Sequence, residues 1–242
     1  MADQWSGVRY NQDVSLILGN WKSNKTRAAA GEWIKTFAAE WRTHGSVPDS
    51  RQVVLAPPYY LLAFMADAIQ DLKLPISLGV QDISQFGAGK YTGAVAAVNL
   101  REYGVTHVIL GHSERRQYFH ETHQEVAAKV DQALDNEMIP VVCVDESYWQ
   151  EQVEVLGGSI AKKCAFAFEP LSAIGTGQPA SVGLVAPIIS QIKNTTDAKT
   201  VIYGGSVTAE TVAEYLLVSD GVLPGAAALD AKSFADLIWF DE

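Results

Sequence analysis

The chain has 242 residues, 48% of them hydrophobic and 19% charged, which is enough apolar content for a sizeable core and excludes intrinsic disorder as the main description. Eighteen Lys and Arg against 28 Asp and Glu leave a net charge of −10, and no run of basic residues offsets it, so nucleic acid is not expected as a partner. The N-terminal thirteen residues are polar, and no stretch reaches the roughly 18 uninterrupted apolar residues of a membrane span, so a soluble cytoplasmic protein without a membrane partner is expected.

From the N-terminus onward, short β-branched apolar runs alternate with longer segments of helical period, the pattern of a parallel sheet with crossover helices. The strand candidates are VSLILGN from Val14, QVVLA from Gln52, ISLGVQ from Ile76, THVILGH from Thr106, IPVVCV from Ile139, CAFAFE from Cys164, TVIYGG from Thr200 and GVLPGAA from Gly221. Between them, Trp33, Ile34, Phe37 and Trp41 mark one buried helical face, and Val126, Val130 and Leu134 mark another. Both stripes read as core. Cys143 and Cys164 fall in apolar runs and read as core thiols, since two cysteines make neither a disulfide framework nor a metal site.

No Gly, Pro or Ser-rich linker divides the chain, so residues 1–242 are expected to form one domain. Periodicity alone also allows an open doubly wound sheet. Eight consecutive βα units of about 30 residues fit a (β/α)₈ barrel better, an α/β fold of eight parallel strands ringed by helices. Enzymes of that architecture carry their chemistry at the C-terminal strand ends.

The first strand ends in Gly19-Asn20-Trp21-Lys22, where a lysine can neutralise a phosphate or a developing negative charge, or can simply be solvated. The fourth ends in Gly111-His112-Ser113-Glu114-Arg115-Arg116. Ser113 is the expected N-cap of the next helix, whose N-terminus would keep His112 neutral and able to donate a hydrogen bond; a buried, satisfied histidine is the plainer alternative. His112 and Glu114 form an H-x-E pair, yet no P-C-x-x-C follows, and His44, His107, His120 and His123 lack ligand spacing, so no metal is expected. The sixth strand ends in Phe168-Glu169-Pro170, placing a carboxylate where an apolar strand partly strips its water, as a carbon-acid general base requires; an ion pair with a neighbouring cation is the alternative. The following Leu171 to Gln178, with two glycines and no helical period, suits a hinged lid. Tyr203-Gly204-Gly205-Ser206 and Gly225-Ala226-Ala227-Ala228 close the seventh and eighth strands with turns that let backbone amides approach an anion.

NWK, GHSERR, FEP followed by AIGTG, and YGGS, in this order and each at a strand end, closely resemble the triosephosphate isomerase family over nearly the whole chain. The resemblance implies interconversion of dihydroxyacetone phosphate and glyceraldehyde 3-phosphate through an enediol(ate), in glycolysis and gluconeogenesis, without cofactor or metal. It implies that Glu169 moves the proton between carbons, and that His112 polarises the carbonyl and shuttles protons between oxygens. Lys22 would hold phosphate and enediolate charge, and Asn20 would orient Lys22 and the substrate oxygen. Glu114 would pair with Lys22 or support it from behind, and Gly175, Ser206, Gly225 and Ala226 would supply phosphate donors.

The chain departs from the family at Ser172 and Gln178 around the lid, at Pro224 and Ala226 in the last turn, at Ala94 where a T-G-E carboxylate is usual, and at Asp145-Glu146. Its segments between Cys143 and Glu169 and between Glu169 and Tyr203 are short, which implies trimmed outer helices. A related sugar phosphate such as a tetrulose phosphate is an alternative substrate, and a non-catalytic phosphometabolite-binding barrel is a third reading. Residues 82–92 form a long loop whose Thr92-Gly93 pair matches the family segment that reaches a second subunit, implying a homodimer with Thr92 near Asn20 and Lys22 of the other chain.

Overall fold

A computed structural model describes residues 14–170 and 178–240. Eight parallel strands close into a barrel in sequence order: β1 (Ser15–Asn20), β2 (Arg51–Ala56), β3 (Ser77–Val80), β4 (Val105–Leu110), β5 (Ile139–Val144), β6 (Ala165–Phe168), β7 (Thr200–Tyr203) and β8 (Gly221–Val222). Helices α1 (Arg27–His44) and α2 (Tyr59–Leu72) follow the first two strands, and a 3₁₀ segment (Ala97–Tyr103) precedes β4. Then come α3 (Ser113–Phe119), α4 (His123–Asp135), α5 (Trp149–Leu156), α6 (Gly158–Ala161), α7 (Val182–Thr196), α8 (Val212–Leu216), α9 (Ala226–Leu229) and α10 (Ala231–Ile238). The open-sheet alternative is excluded by closure, because β1 pairs with both β2 and β8. Among the described residues, no helix is long and apolar enough to cross a membrane.

Strand alternation separates two apolar layers. Leu16, Leu18, Val54, Ile109, Val141, Cys143, Ala165, Ala167, Ile202 and Leu223 fill the barrel interior. Ile17, Val53, Val108, Val142, Phe166 and Val201, one position out of phase, face the helical ring with Trp33, Ile34 and Phe37 of α1 and Val126 and Val130 of α4. Trp41 and Leu134 are only partly buried, at the ends of their stripes. Cys143 and Cys164 are free and buried, as expected for core thiols. Thr26 caps α1 by accepting the Ala29 N–H at 3.2 Å, and Thr122 and Glu125 form a reciprocal capping box on α4.

The same parity builds the mouth of the barrel. Asn20 continues the phase of Leu16 and Leu18, Glu169 that of Ala165 and Ala167, Gly204 that of Ile202, and Gly225 that of Leu223. The eighth strand is shorter than the sequence suggests: β8 stops at Val222, and Pro224, which has no N–H to give a ladder, turns the chain into α9. On the outside, α5 has 8 residues and α6 has 4.

Candidate active site

Lys22 leaves β1 in a left-handed conformation, φ +51°, which costs a non-glycine residue roughly 1–2 kcal/mol. Two side chains hold it there. The Lys22 N–H donates to Asn20 Oδ1 at 2.9 Å, and Gln81 Nε2 donates to the carbonyls of Lys22 at 2.8 Å and Ala56 at 2.9 Å. Its ammonium then reaches Glu114 Oε1 at 2.6 Å. Both side chains are about one-third exposed, so the pair orients Lys22 more than it stabilises the fold.

His112 reaches the mouth because Gly111, at φ +65°, breaks the alternation of β4. A Cβ at Gly111 would lie 2.6 Å from Arg116 Nη2 and 2.9 Å from Val126 Cγ2. The residue capping α3 is His112 and not Ser113: the ring Nδ1 accepts the Glu114 N–H at 3.1 Å. A nitrogen that accepts this bond carries no proton, so the ring hydrogen sits on Nε2 and points toward Glu169 Oε1, 3.1 Å away. Ser113 is the first residue of α3, and its backbone N–H donates to Glu169 Oε2 at 3.0 Å.

The Glu169 carboxylate is thus gripped at both oxygens and is 1% exposed. Gly204 crowds it from just beyond β7, where a Cβ would lie 2.7 Å from Glu169 Cγ, while a Cβ on Gly205 would collide with the Tyr203 ring and hydroxyl. Beneath it, burial first and the charge of Glu169 second push the Cys143 thiol well above its usual range.

Asn20, Lys22, His112, Glu169, Ser206, Gly225 and Ala226 all line one cavity of about 670 Å³ at the C-terminal ends of the strands. Glu114 stands behind it through Lys22. Of the expected lid, Leu171 to Gln178, residues 171–177 lie outside the described residues, Ser172 and Gly175 among them. Among the described residues, no three His, Cys, Asp or Glu side chains converge as a metal site would need. Gln81, which braces Lys22, has no signal in the sequence beyond its place as the last residue of the third strand candidate.

A parallel (β/α)₈ barrel with a buried carboxylate facing an imidazole N–H and a lysine lining the same cavity defines an acid–base enzyme of the barrel class. The sequence pattern of the family described as Triosephosphate isomerase matches residues 15–240. The chain is 36% identical to triosephosphate isomerase of Polynucleobacter necessarius subsp. necessarius (strain STIR1), covering 90% of this chain and 96% of that protein. It is also 36% identical to that of Mycoplasma mobile, over 92% and 98% of the two chains, and 34% identical to that of Moorella thermoacetica, over 94% and 98%. The chain belongs to the triosephosphate isomerase family.

Proposed function

We infer that this chain interconverts dihydroxyacetone phosphate and D-glyceraldehyde 3-phosphate in glycolysis and gluconeogenesis, with Glu169 as the base and His112 as the electrophile. The convergence of Glu169, His112 and Lys22 from three separate strand ends on one cavity, in a chain of this family, carries the reading. A triose entering between Glu169 and His112 replaces their 3.1 Å contact with contacts to its own carbon and oxygen. Glu169 takes the proton from the carbon next to the carbonyl while the Nε2–H of His112 donates to the carbonyl oxygen, giving an enediol(ate). Return of the carbon-bound proton to the neighbouring carbon, with the oxygen protons exchanged through His112, completes the 1,2-shift.

Lys22 brings a positive charge into the cavity for a dianionic substrate, in a chain whose net charge is −10, and Glu114 and Asn20 hold it in place. Ser206, Gly225 and Ala226, which line the cavity, would bind the phosphate through backbone N–H groups, and the motif assigns Gly175 to the same task. The proton shift needs no cofactor. Cytoplasmic residence follows from the metabolic role inferred here.

The assembly inferred is a two-fold homodimer. Residues 86–94 project with every position exposed, and the rings of Phe86 and Tyr91 stack at 4.3 Å on that projection. Tyr118 and Phe119 of α3 add an exposed aromatic pair, and together these surfaces suit burial against a second copy that would bring Thr92 to Asn20 and Lys22. The catalytic reading is tested by Glu169→Asp, which withdraws the carboxylate by one methylene and should lower kcat by roughly 10²-fold with a modest effect on KM, and by Glu169→Gln, which should lose more. Near-native turnover in either variant removes Glu169 as the base.

A further inference from the structure

The turn at Gly225-Ala226 opens α9, a helix of 4 residues with no side-chain cap at its start, too short to hold its own position. Its far end is held by donors from elsewhere in the chain. The indole N–H groups of Trp21 and Trp33 both donate to Ala228 O, at 2.9 and 3.1 Å, and Lys25 Nζ donates to Leu229 O at 2.6 Å. These carbonyls belong to the last turn of α9, which a helix cannot satisfy internally. Trp33 comes from α1 and is packed on Phe37 with ring centroids 5.2 Å apart, so its N–H is fixed by the core. Lys25 lies over the Trp21 ring at 5.0 Å and faces the Asp230 carboxylate. The packing leaves little slack, since a Cβ on Gly19 of β1 would lie 3.1 Å from Ala228 Cβ.

We propose that Trp33 and Lys25 are positioning residues for the phosphate-binding turn, fixing from behind where the Gly225 and Ala226 amides stand relative to Lys22. This rests on the reading of that turn as a phosphate site. The segment that carries Lys22 into the cavity is tied to the turn at several points: Asn20 N–H donates to Pro224 O at 2.9 Å, and Trp21 and Lys25 hold α9. Lys22 itself runs across the turn, where a Cβ on Gly225 would lie 3.3 Å from Lys22 Cε. Loosening the far end of α9 therefore changes the spacing between one charged donor and the backbone donors opposite, which a phosphate dianion samples at both ends. Chemistry at the triose carbons, set by Glu169 and His112, is untouched.

The experiment compares wild type with Lys25→Met, Trp33→Phe and the conservative Lys25→Arg, reading kcat, KM for dihydroxyacetone phosphate, competitive inhibition by inorganic phosphate, and melting temperature. Lys25→Met and Trp33→Phe should each raise KM and the phosphate inhibition constant together by about fivefold, with kcat within twofold of wild type. Lys25→Arg, which keeps a donor, should restore most of the phosphate affinity. Unchanged phosphate inhibition in a folded Lys25→Met, or a fall in kcat at constant KM, overturns the positioning role. If wild type turns over but inorganic phosphate fails to compete, the phosphate assignment of the turn is what fails. Should Trp33→Phe melt early, the solvent-accessible Lys25 variants carry the decision.

Discussion

Replacing Gly204 with alanine inserts a single methyl group against the proposed base. Its Cβ would stand 2.7 Å from Glu169 Cγ, 3.5 Å from Glu169 Oε1 and 3.4 Å from Phe168 O. Carbon atoms in ordinary contact lie about 3.5–4.0 Å apart, so the glutamate stem must retreat by about 1 Å. The backbone just after β7 cannot yield instead, because the Gly204 N–H is bonded to Phe168 O at 2.8 Å. The carboxylate also has no free end to swing, since one oxygen accepts the Ser113 N–H and the other faces His112. A displacement of about 1 Å at a proton-transfer group costs on the order of 10²-fold in rate. In a coupled assay with dihydroxyacetone phosphate, Gly204→Ala should therefore lose roughly 10²-fold in kcat. A folded variant retaining kcat within about threefold of wild type would refute the claim that the position of Glu169 limits the reaction.

Lys22→Met should weaken a phosphorylated enediolate mimic by more than about tenfold while the melting temperature hardly moves, because the Lys22–Glu114 pair is partly exposed and contributes little to folding; unaltered mimic affinity removes Lys22 from the site. Complete burial pushes His107 down to about 4, so its neutral form is favoured in the folded state. Full stability is present above about pH 6.5 and falls as the pH drops toward 4, by up to about 3 kcal/mol. Urea unfolding from pH 7 to 4.5 should show a flatter dependence in His107→Gln, and equal slopes would show that His107 does not titrate on unfolding. Sedimentation equilibrium at micromolar concentration should give twice the 26.2 kDa chain mass, and a fully active monomer would refute both the dimer and the bracing of Lys22 by a second chain.

The strand ends were readable because apolar runs of period two stop at polar residues, and the parity that points Leu18 inward also points Asn20 into the mouth. Where a residue has two chemical uses, sequence was less informative. Ser113 has the composition of an N-cap, but the imidazole of His112 accepts the amide instead, which leaves the Ser113 N–H for Glu169. Trp33 reads as core by its spacing and is core, yet nothing in a hydrophobic stripe tells where its indole N–H will point. Gln81 is a single amide 59 positions from Lys22, and only the side-by-side pairing of β1, β2 and β3 brings them together. The eighth strand was overextended because GVLPGAA looks apolar throughout, whereas Pro224 ends the ladder.

Turnover of the purified chain on dihydroxyacetone phosphate and on a tetrulose phosphate, measured side by side in wild type and Glu169→Gln, probes substrate and mechanism together. Triose turnover should far exceed tetrulose turnover in wild type and should collapse in Glu169→Gln. Tetrulose turnover equal to or above that on the triose, or a triose rate that survives Glu169→Gln, would contradict a triose phosphate isomerase that works through this carboxylate.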